Sequence, residues 1–558
     1  MSSTISDTEF ITIVQAAADF DDYLYGKYFV PRRESFRVHR QVHSFRTESL
    51  AQLLLSSQSV SSRTESPLRL RDPSVLPPWA IELRHMLDVL PEHDLITKQA
   101  SPLHRLCECG SRYGLQRLKE QISPALLDHI SQKAEARLDT DLRQTLARAT
   151  RPCFALKLEA FRLASEAIWF RTQGSAPKTT EMRLAAPSSE QLFPMFRTFP
   201  VLARLWSQLI SQWRNHIAEL LLRFTADRHA LSHAFFRGQR IGKIIDLRSG
   251  LSDPHNGGRT VVLLKFQSGS VVYKPRGGDG EWEWLNLLRW MNSQSFRPKL
   301  RAAMVLRRED YCWMERIRPE PCRDQNAARR FYRRVGGMLG AAYLLKAVDC
   351  HRDNIIAAGE YPVLIDAETL WHVARETKTQ SVLDVLYGTG FLPSSGRRSS
   401  WQYRSSALGR SSPGQHTPRI ASTPLNASTY EVEIVNGFHE AWRCLLGTTE
   451  RRAAFIRRLQ RLCRRERRWI YRSTRKYHAI RRASIHPAAL RSGIGRDLLI
   501  ARSCARSGVS QGVVQKEMNA LRRLDIPYFS RKAAAPSFPE KGTTPEELID
   551  ALRRAVHL

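Results

Sequence analysis

The chain has 558 residues, 42% of them hydrophobic and 9% aromatic, which suits a globular core in several domains or in one large domain with an appendage. Lys and Arg (87) outnumber Asp and Glu (54), giving a net charge of +33 that selects anionic partners such as nucleotide phosphates or an acidic peptide, although arginine is spread over the whole chain. Nine scattered cysteines with no C-x-x-C pair argue against a structural zinc site or a disulfide framework; with no basic N-terminal region and no run near the roughly 20 apolar residues of a membrane helix, a cytoplasmic protein without a transmembrane segment is expected.

Residues 1–226 are expected to be mostly helical. Apolar residues recur at three- and four-residue spacing through Leu115–Ile130, Ala134–Leu146 and Phe154–Trp169. Ser-rich Ser56–Ser66 and Pro-rich Arg71–Trp79 read as loops. The period then switches. Ile241–Leu247, Arg259–Phe266 and Ser270–Lys274 read as strands, with turns at Asn256-Gly257-Gly258 and Gln267-Ser268-Gly269. Among them, Asp253-Pro254-His255 sets two proton-handling side chains two positions apart. That pattern suits acid–base work, and it suits a capped turn as well.

The segment SVVYKPR ends a strand in Lys274, with Arg276 just beyond the proline. A strand lysine above nucleotide phosphates is one element of a phosphotransferase site. No G-x-G-x-x-G accompanies it. Glu281 and Glu283 follow on an amphipathic segment, and either can pair with Lys274.

A helix over Asn326–Leu345, with Gly336, Gly337 and Gly340 pointing to close helix packing, leads into Ala347–Trp371. Here Asp349 and Asn354 have the D-x-x-x-x-N spacing that sets a base beside a substrate hydroxyl and an amide ligand on Mg²⁺. Tyr361–Ile365 reads as a short buried strand with Asp366 at its exit, a second hard oxygen ligand. His351-Arg352-Asp353 also spells H-R-D, but that register puts the metal position at Ala358, which cannot ligate. The working register starts at Asp349, and His351 is left to orient Asp349 or a phosphate. Residues 388–425 are expected to be a mobile loop. Within the basic run Glu450–Arg482, Arg468–Thr474 alternates like a strand, which would put Arg468, Arg472 and Thr474 on one face. Arginine there suits bidentate phosphate contact.

These segments, GLSDPHNGGRTV, GSVVYKPR, YCWMERI, FYRRVGGMLGAAYLL, DCHRDNIIAAGEYPVLIDAETLW, RRWIYRSTRKY and EMNALRRLDIPYF, resemble the dehydratase part of class II lanthipeptide synthetases, the LanM type, over about residues 227–529. The resemblance implies an α+β fold with a lipid-kinase-like, two-lobed catalytic core at 227–558 (β lobe about 227–320, helical lobe about 321–558), added helical elements and the N-terminal helical region. It implies an enzyme that uses ATP and Mg²⁺ to phosphorylate Ser and Thr of a ribosomal precursor peptide carrying a leader, then eliminates phosphate to leave dehydroalanine or dehydrobutyrine. By position, Lys274, Asp349, His351, Asn354 and Asp366 would serve phosphorylation, with Arg276 beside the nucleotide. Asp253, His255, Arg468 and Thr474 would serve elimination. No cysteine follows Phe529, so no cyclase activity is expected of this chain, which would be a stand-alone dehydratase, half of a split synthetase or a truncated product; a separate cyclase is an open partner, and no nucleic-acid partner is expected. Two other readings stay open: a peptide or small-molecule kinase without elimination, and a non-catalytic peptide-binding scaffold.

Overall fold

The computed structural model describes residues 6–19, 22, 29–31, 68–89, 102–172, 192–372, 382–393, 406–408, 417–505, 509–532 and 552–553. The Ser56–Ser66 loop and most of 388–425 lie outside them. The elements that position the sites are, in chain order, helices α1 (Asp7–Ala17), α2 (Pro102–Gln121), α3 (Gln132–Thr172) and α4 (Pro200–Phe235); strands β1 (Asp246–Arg248), β2 (Val262–Phe266) and β3 (Gly269–Lys274); helix α5 (Asp279–Ser293); strands β4 (Val305–Arg307) and β5 (Cys312–Glu315); helix α6 (Gln325–Leu344); strands β6 (Ile355–Ala358) and β7 (Tyr361–Leu364); helices α7 (Glu431–Leu446) and α8 (Thr449–Cys463); strand β8 (Arg467–Arg468); helices α9 (Thr474–Ser484), α10 (Gly493–Cys504) and α11 (Gln511–Arg522); and strand β9 (Ser530–Arg531). The fold is a mixture of helix and sheet. No described helix is long and apolar enough to cross a membrane.

The chain forms two compact units, each discontinuous in sequence. The first comprises Met1–Arg228, Ile241–Gln267 and Arg472–Pro527. Its long helices bury an apolar stripe: Tyr113, Leu142, Trp206 and Phe224 are all below 2% exposed. The Trp206 indole N–H donates to Thr150 Oγ1 at 2.9 Å, so the buried ring keeps a polar partner. β1 and β2 pair antiparallel, and Phe266 of β2 stacks on Phe224 of α4 with centroids 5.3 Å apart. The helices expected at Ala134–Leu146 and Phe154–Trp169 are one helix, α3, which runs through Pro152. The one expected at Leu115–Ile130 ends at Gln121, before Pro124 opens a separate short turn.

The second unit comprises His229–Arg240, Ser268–Tyr471 and Tyr528–Leu558. β5 lies between β3 and β4, antiparallel to both, with Lys274 opposite Cys312. β6 and β7 form a hairpin that aligns Ile355 with Leu364. Helices α6 and α7 share an apolar core with Trp284, Phe331, Leu339 and Phe438. Their close approach requires glycine: a Cβ at Gly336 would lie 1.9 Å from Ile434 O, and one at Gly437 the same distance from Arg333 O.

The expected strand through Arg468–Thr474 requires correction. Only Arg467–Arg468 is strand, paired with Ser530–Arg531. Ser473 is an extended N-cap, and Thr474 begins α9, whose Tyr477, Ile480 and Ser484 fall at helical spacing and are buried. Arg468, Arg472 and Thr474 therefore do not share a strand face. Arg472 is buried in an ion pair with Glu517 at 2.7 Å.

Candidate active site

β3 delivers Lys274 into the interior of the second unit, 5% exposed. Its ammonium donates to Glu281 Oε1 at 2.9 Å and to Ile365 O at 2.6 Å, and lies 3.9 Å from Asp366 Oδ1. The structure thus selects Glu281, not Glu283, as the partner. Glu281 sits in the first turn of α5, where the helix dipole favours an anion. A Cβ at Gly280 would come within 2.0 Å of Ala367 O, so this turn rests directly on the strand exit carrying Asp366.

Arg276 is the hub of the cluster. Its guanidinium reaches Glu281 Oε1 and Asp366 Oδ1, each at 2.7 Å, and Glu368 Oε2 at 2.8 Å. Glu368 also pairs with Arg468 and accepts a hydrogen bond from Tyr528 at 3.4 Å. β8 places Arg468 there, since its backbone N–H donates to Glu368 O at 3.1 Å. Buried charges survive only when paired in this way. Burial alone would raise the carboxyl pKa of Glu281 and Glu368. Arg276 and Lys274 overrule it at Glu281, and Arg276 and Arg468 hold Glu368 down to about 2. Asp366 behaves oppositely: burial, then the Glu368 charge, raises it despite Lys274 and Arg276.

Asp349, His351 and Asn354 come together before the β6–β7 hairpin. Asp349 has φ of +65°, a left-handed conformation that costs energy for a residue with a side chain. The Asn354 amide donates to Asp349 O at 2.8 Å, and Asn354 O accepts from Ile365 N–H at 2.8 Å, which ties this loop to the Asp366 strand end. His351 Nδ1 accepts from the Asp353 N–H at 3.2 Å, so its ring proton sits on Nε2, 3.4 Å from Asp349 Oδ1. Burial raises the pKa of Asp349.

Asp253, His255 and Thr474 belong to the first unit. Asn256, Gly257 and Gly258 all have positive φ, and both glycine N–H groups donate to the Asp525 carboxylate, at 2.7 and 2.9 Å. Ile526 N–H donates to Pro254 O at 2.8 Å, and His255 Nδ1 lies 2.6 Å from Ile526 O. A carbonyl only accepts, so Nδ1 carries the proton and Nε2 keeps the lone pair. Asp253 pairs with His478 Nε2 at 3.1 Å. Thr474 stands one turn before His478 on α9.

Sequence reasoning missed Glu368, Tyr528, His478 and Asp525. Glu368 had a signal, since two residues after Asp366 on an extended chain lies on the same side. His478, four after Thr474, becomes visible once the segment is read as helix. Asp525 and Tyr528 sit far along the chain, and no local pattern ties them to their partners.

The chain belongs to the family described as a domain of unknown function, DUF4135, whose model matches residues 199–419 and 410–532. It is also similar to a lacticin 481/lactococcin biosynthesis protein, LcnDR2, of Lactococcus lactis subsp. lactis, 22% identical over 388 residues. That match covers 60% of this chain and 40% of the relative's own length.

Proposed function

We propose that this protein acts in lanthipeptide biosynthesis as an ATP-dependent dehydratase of a ribosomal precursor peptide, phosphorylating Ser and Thr and then eliminating phosphate. In this reading residues 227–558 form a lipid-kinase-like, two-lobed catalytic core. The observation that carries it is the buried Lys274–Glu281–Arg276–Asp366 cluster, together with Asp349 and Asn354. A binding module has no use for so many paired charges in one interior, because such pairs add little to stability. The similarity to a lantibiotic biosynthesis protein supports the substrate class.

The donor set fits Mg²⁺. Asn354, whose side-chain amide donates to Asp349 O, would offer its amide oxygen and Asp366 its carboxylate; both are hard ligands. Bound there, Mg²⁺ and ATP would supply the phosphoryl group and neutralise its charge. Lys274 is held rigid by Glu281 to face phosphate oxygens. Asp349 accepts the proton of the peptide hydroxyl, and His351, donating from Nε2, orients it.

Hydroxide leaves a serine side chain poorly, whereas phosphate leaves well. In the second step the Cα–H bond breaks toward a base, its electron pair forms the Cα=Cβ bond, and the Cβ–O bond breaks with its electrons on phosphate. His255, with its lone pair on Nε2, suits the base, and Asp253 and Thr474 assist it. Arg468 stabilises the departing phosphate.

Incubation with ATP, Mg²⁺ and a Ser/Thr-rich precursor, followed by intact-mass analysis, tests the reading. Each modified residue should lose one water. Arg468→Ala should accumulate phosphopeptide, and Asp349→Ala should leave the peptide unmodified. Retained phosphate with the native protein would select a kinase without elimination, and no ATP turnover would select a scaffold.

A further inference from the structure

The Asp253 carboxylate has a partner on α9 that neither step above uses. His478 Nε2 lies 3.1 Å from Asp253 Oδ1 and 3.2 Å from Oδ2, across 225 positions of sequence. On the other side of the ring, Nδ1 lies 3.2 Å from Arg481 Nη2. A guanidinium has donors and no acceptor, so Nδ1 must accept. The ring proton of the neutral imidazole is thereby confined to Nε2, where the carboxylate receives it. Arg481 is itself anchored, donating to Leu524 O at 3.4 Å. Arg481 thus donates both to the Leu524 carbonyl and to His478, and His478 donates in turn to Asp253. The His478 tautomer is set by geometry.

We propose that His478 is a positioning residue for phosphate elimination from phosphorylated Ser and Thr peptides: it accepts from Arg481, donates to Asp253, and so holds that carboxylate ionised and aimed beside His255. This rests on the elimination reading above. Three features support it. Thr474 lies four positions before His478 on the same helix, so one face of α9 carries both. His478 and Asp253 are only part-buried, so the pair stays within reach of bulk water. The Asp253 loop is otherwise pinned by backbone and Asp525 contacts, which fix its path but leave the Asp253 carboxylate to His478.

The electrostatic surroundings agree. Burial alone would raise the Asp253 carboxyl; the hydrogen bond from His478, with the Arg481 guanidinium behind it, brings it below its ordinary value. Arg481 is in turn faced by Asp253, by Arg148 of α3 and by Asp525. Removing His478 therefore raises the Asp253 pKa, and activity that needs the carboxylate should fail at a higher pH as acid is added.

The test uses the full chain and a synthetic phosphoserine peptide of the precursor sequence, so that elimination is read apart from phosphorylation. His478→Phe should slow elimination roughly ten- to a hundredfold, the loss expected for one hydrogen bond to a charged group. It should shift the acid limb of the elimination profile upward and leave phosphorylation of the unmodified peptide unchanged, which also reports that the variant is folded. His478→Gln, whose amide can still donate to Asp253, should recover most of the rate and restore the acid limb. In the native protein, the ¹⁵N shifts of His478 should report the Nε2–H tautomer. Elimination by His478→Phe at the native rate and profile would overturn the positioning role. So would a glutamine variant no better than phenylalanine, with an unmoved acid limb. A native protein that phosphorylates peptide but never consumes phosphopeptide would instead overturn the elimination reading itself.

Discussion

Glu281 carries more of the second unit than its single negative charge suggests. It is 3% exposed and compensates both Lys274 and Arg276. Replacing it with glutamine leaves two buried cations with one carboxylate fewer. Breaking one side of a buried ion network costs about 3–5 kcal/mol, so Glu281→Gln should lower the unfolding free energy by that order at pH 7. The pH dependence has a definite sign. The folded state holds Glu281 below its ordinary 4.5, so its contribution is present above that value and fades as pH falls toward the folded pKa. Denaturant melts of the two proteins should therefore differ most at neutral pH and converge in acid below about 4.5. A constant gap across that range would mean that the charge on Glu281 is not what stabilises the native state.

At the level of elements, the crossing of α6 and α7 is set by what glycine omits. A methyl at Gly336 would sit 1.9 Å from Ile434 O, well inside van der Waals contact. Gly336→Ala should thus destabilise by about 1–3 kcal/mol, the range for overpacking a tight core, despite alanine's better helix propensity. A thermal melt checks it, and an unchanged or raised midpoint would show that the helices separate freely. This feature was legible in the sequence: three glycines within five positions of an otherwise helical run point to close packing. The Lys274 strand and the D-x-x-x-x-N spacing were legible too, because both are local patterns that the backbone period exposes. The strand reading of Arg468–Thr474 failed because alternation over seven residues cannot separate strand from helix start when a serine cap intervenes. Asp525 and Tyr528 were illegible for a different reason. Their partners Gly257 and Glu368 lie 268 and 160 positions away, and only tertiary structure makes those pairs neighbours.

At the scale of the whole molecule, the first unit is assembled from three stretches of chain. Helix α10 packs within it on the N-terminal residues, where a Cβ at Gly493 would fall 2.0 Å from Ala18 O. Arg204 is fully paired there, with Asp19 and Asp22 each at 2.6 Å. Residues 227–558 are therefore not a stretch that can be cut out. A fragment spanning 227–558 keeps α9, α10 and α11 but loses the helices they fold with. It should bind the hydrophobic dye ANS and lack a cooperative melt, whereas the full chain should melt cooperatively. A fragment with a sharp transition and native phosphorylation would show that the first unit is dispensable.

The clasp on the Asp253 loop has a temporal meaning. His255 and its acceptor Ile526 are separated by 271 positions, and Asp525, which gathers Gly257 and Gly258, is equally remote. A ribosome translating this message emits the loop long before it emits the residues that shape it. The growing polypeptide thus carries Asp253 and His255 without this arrangement until Asp525 and Ile526 have left the exit tunnel.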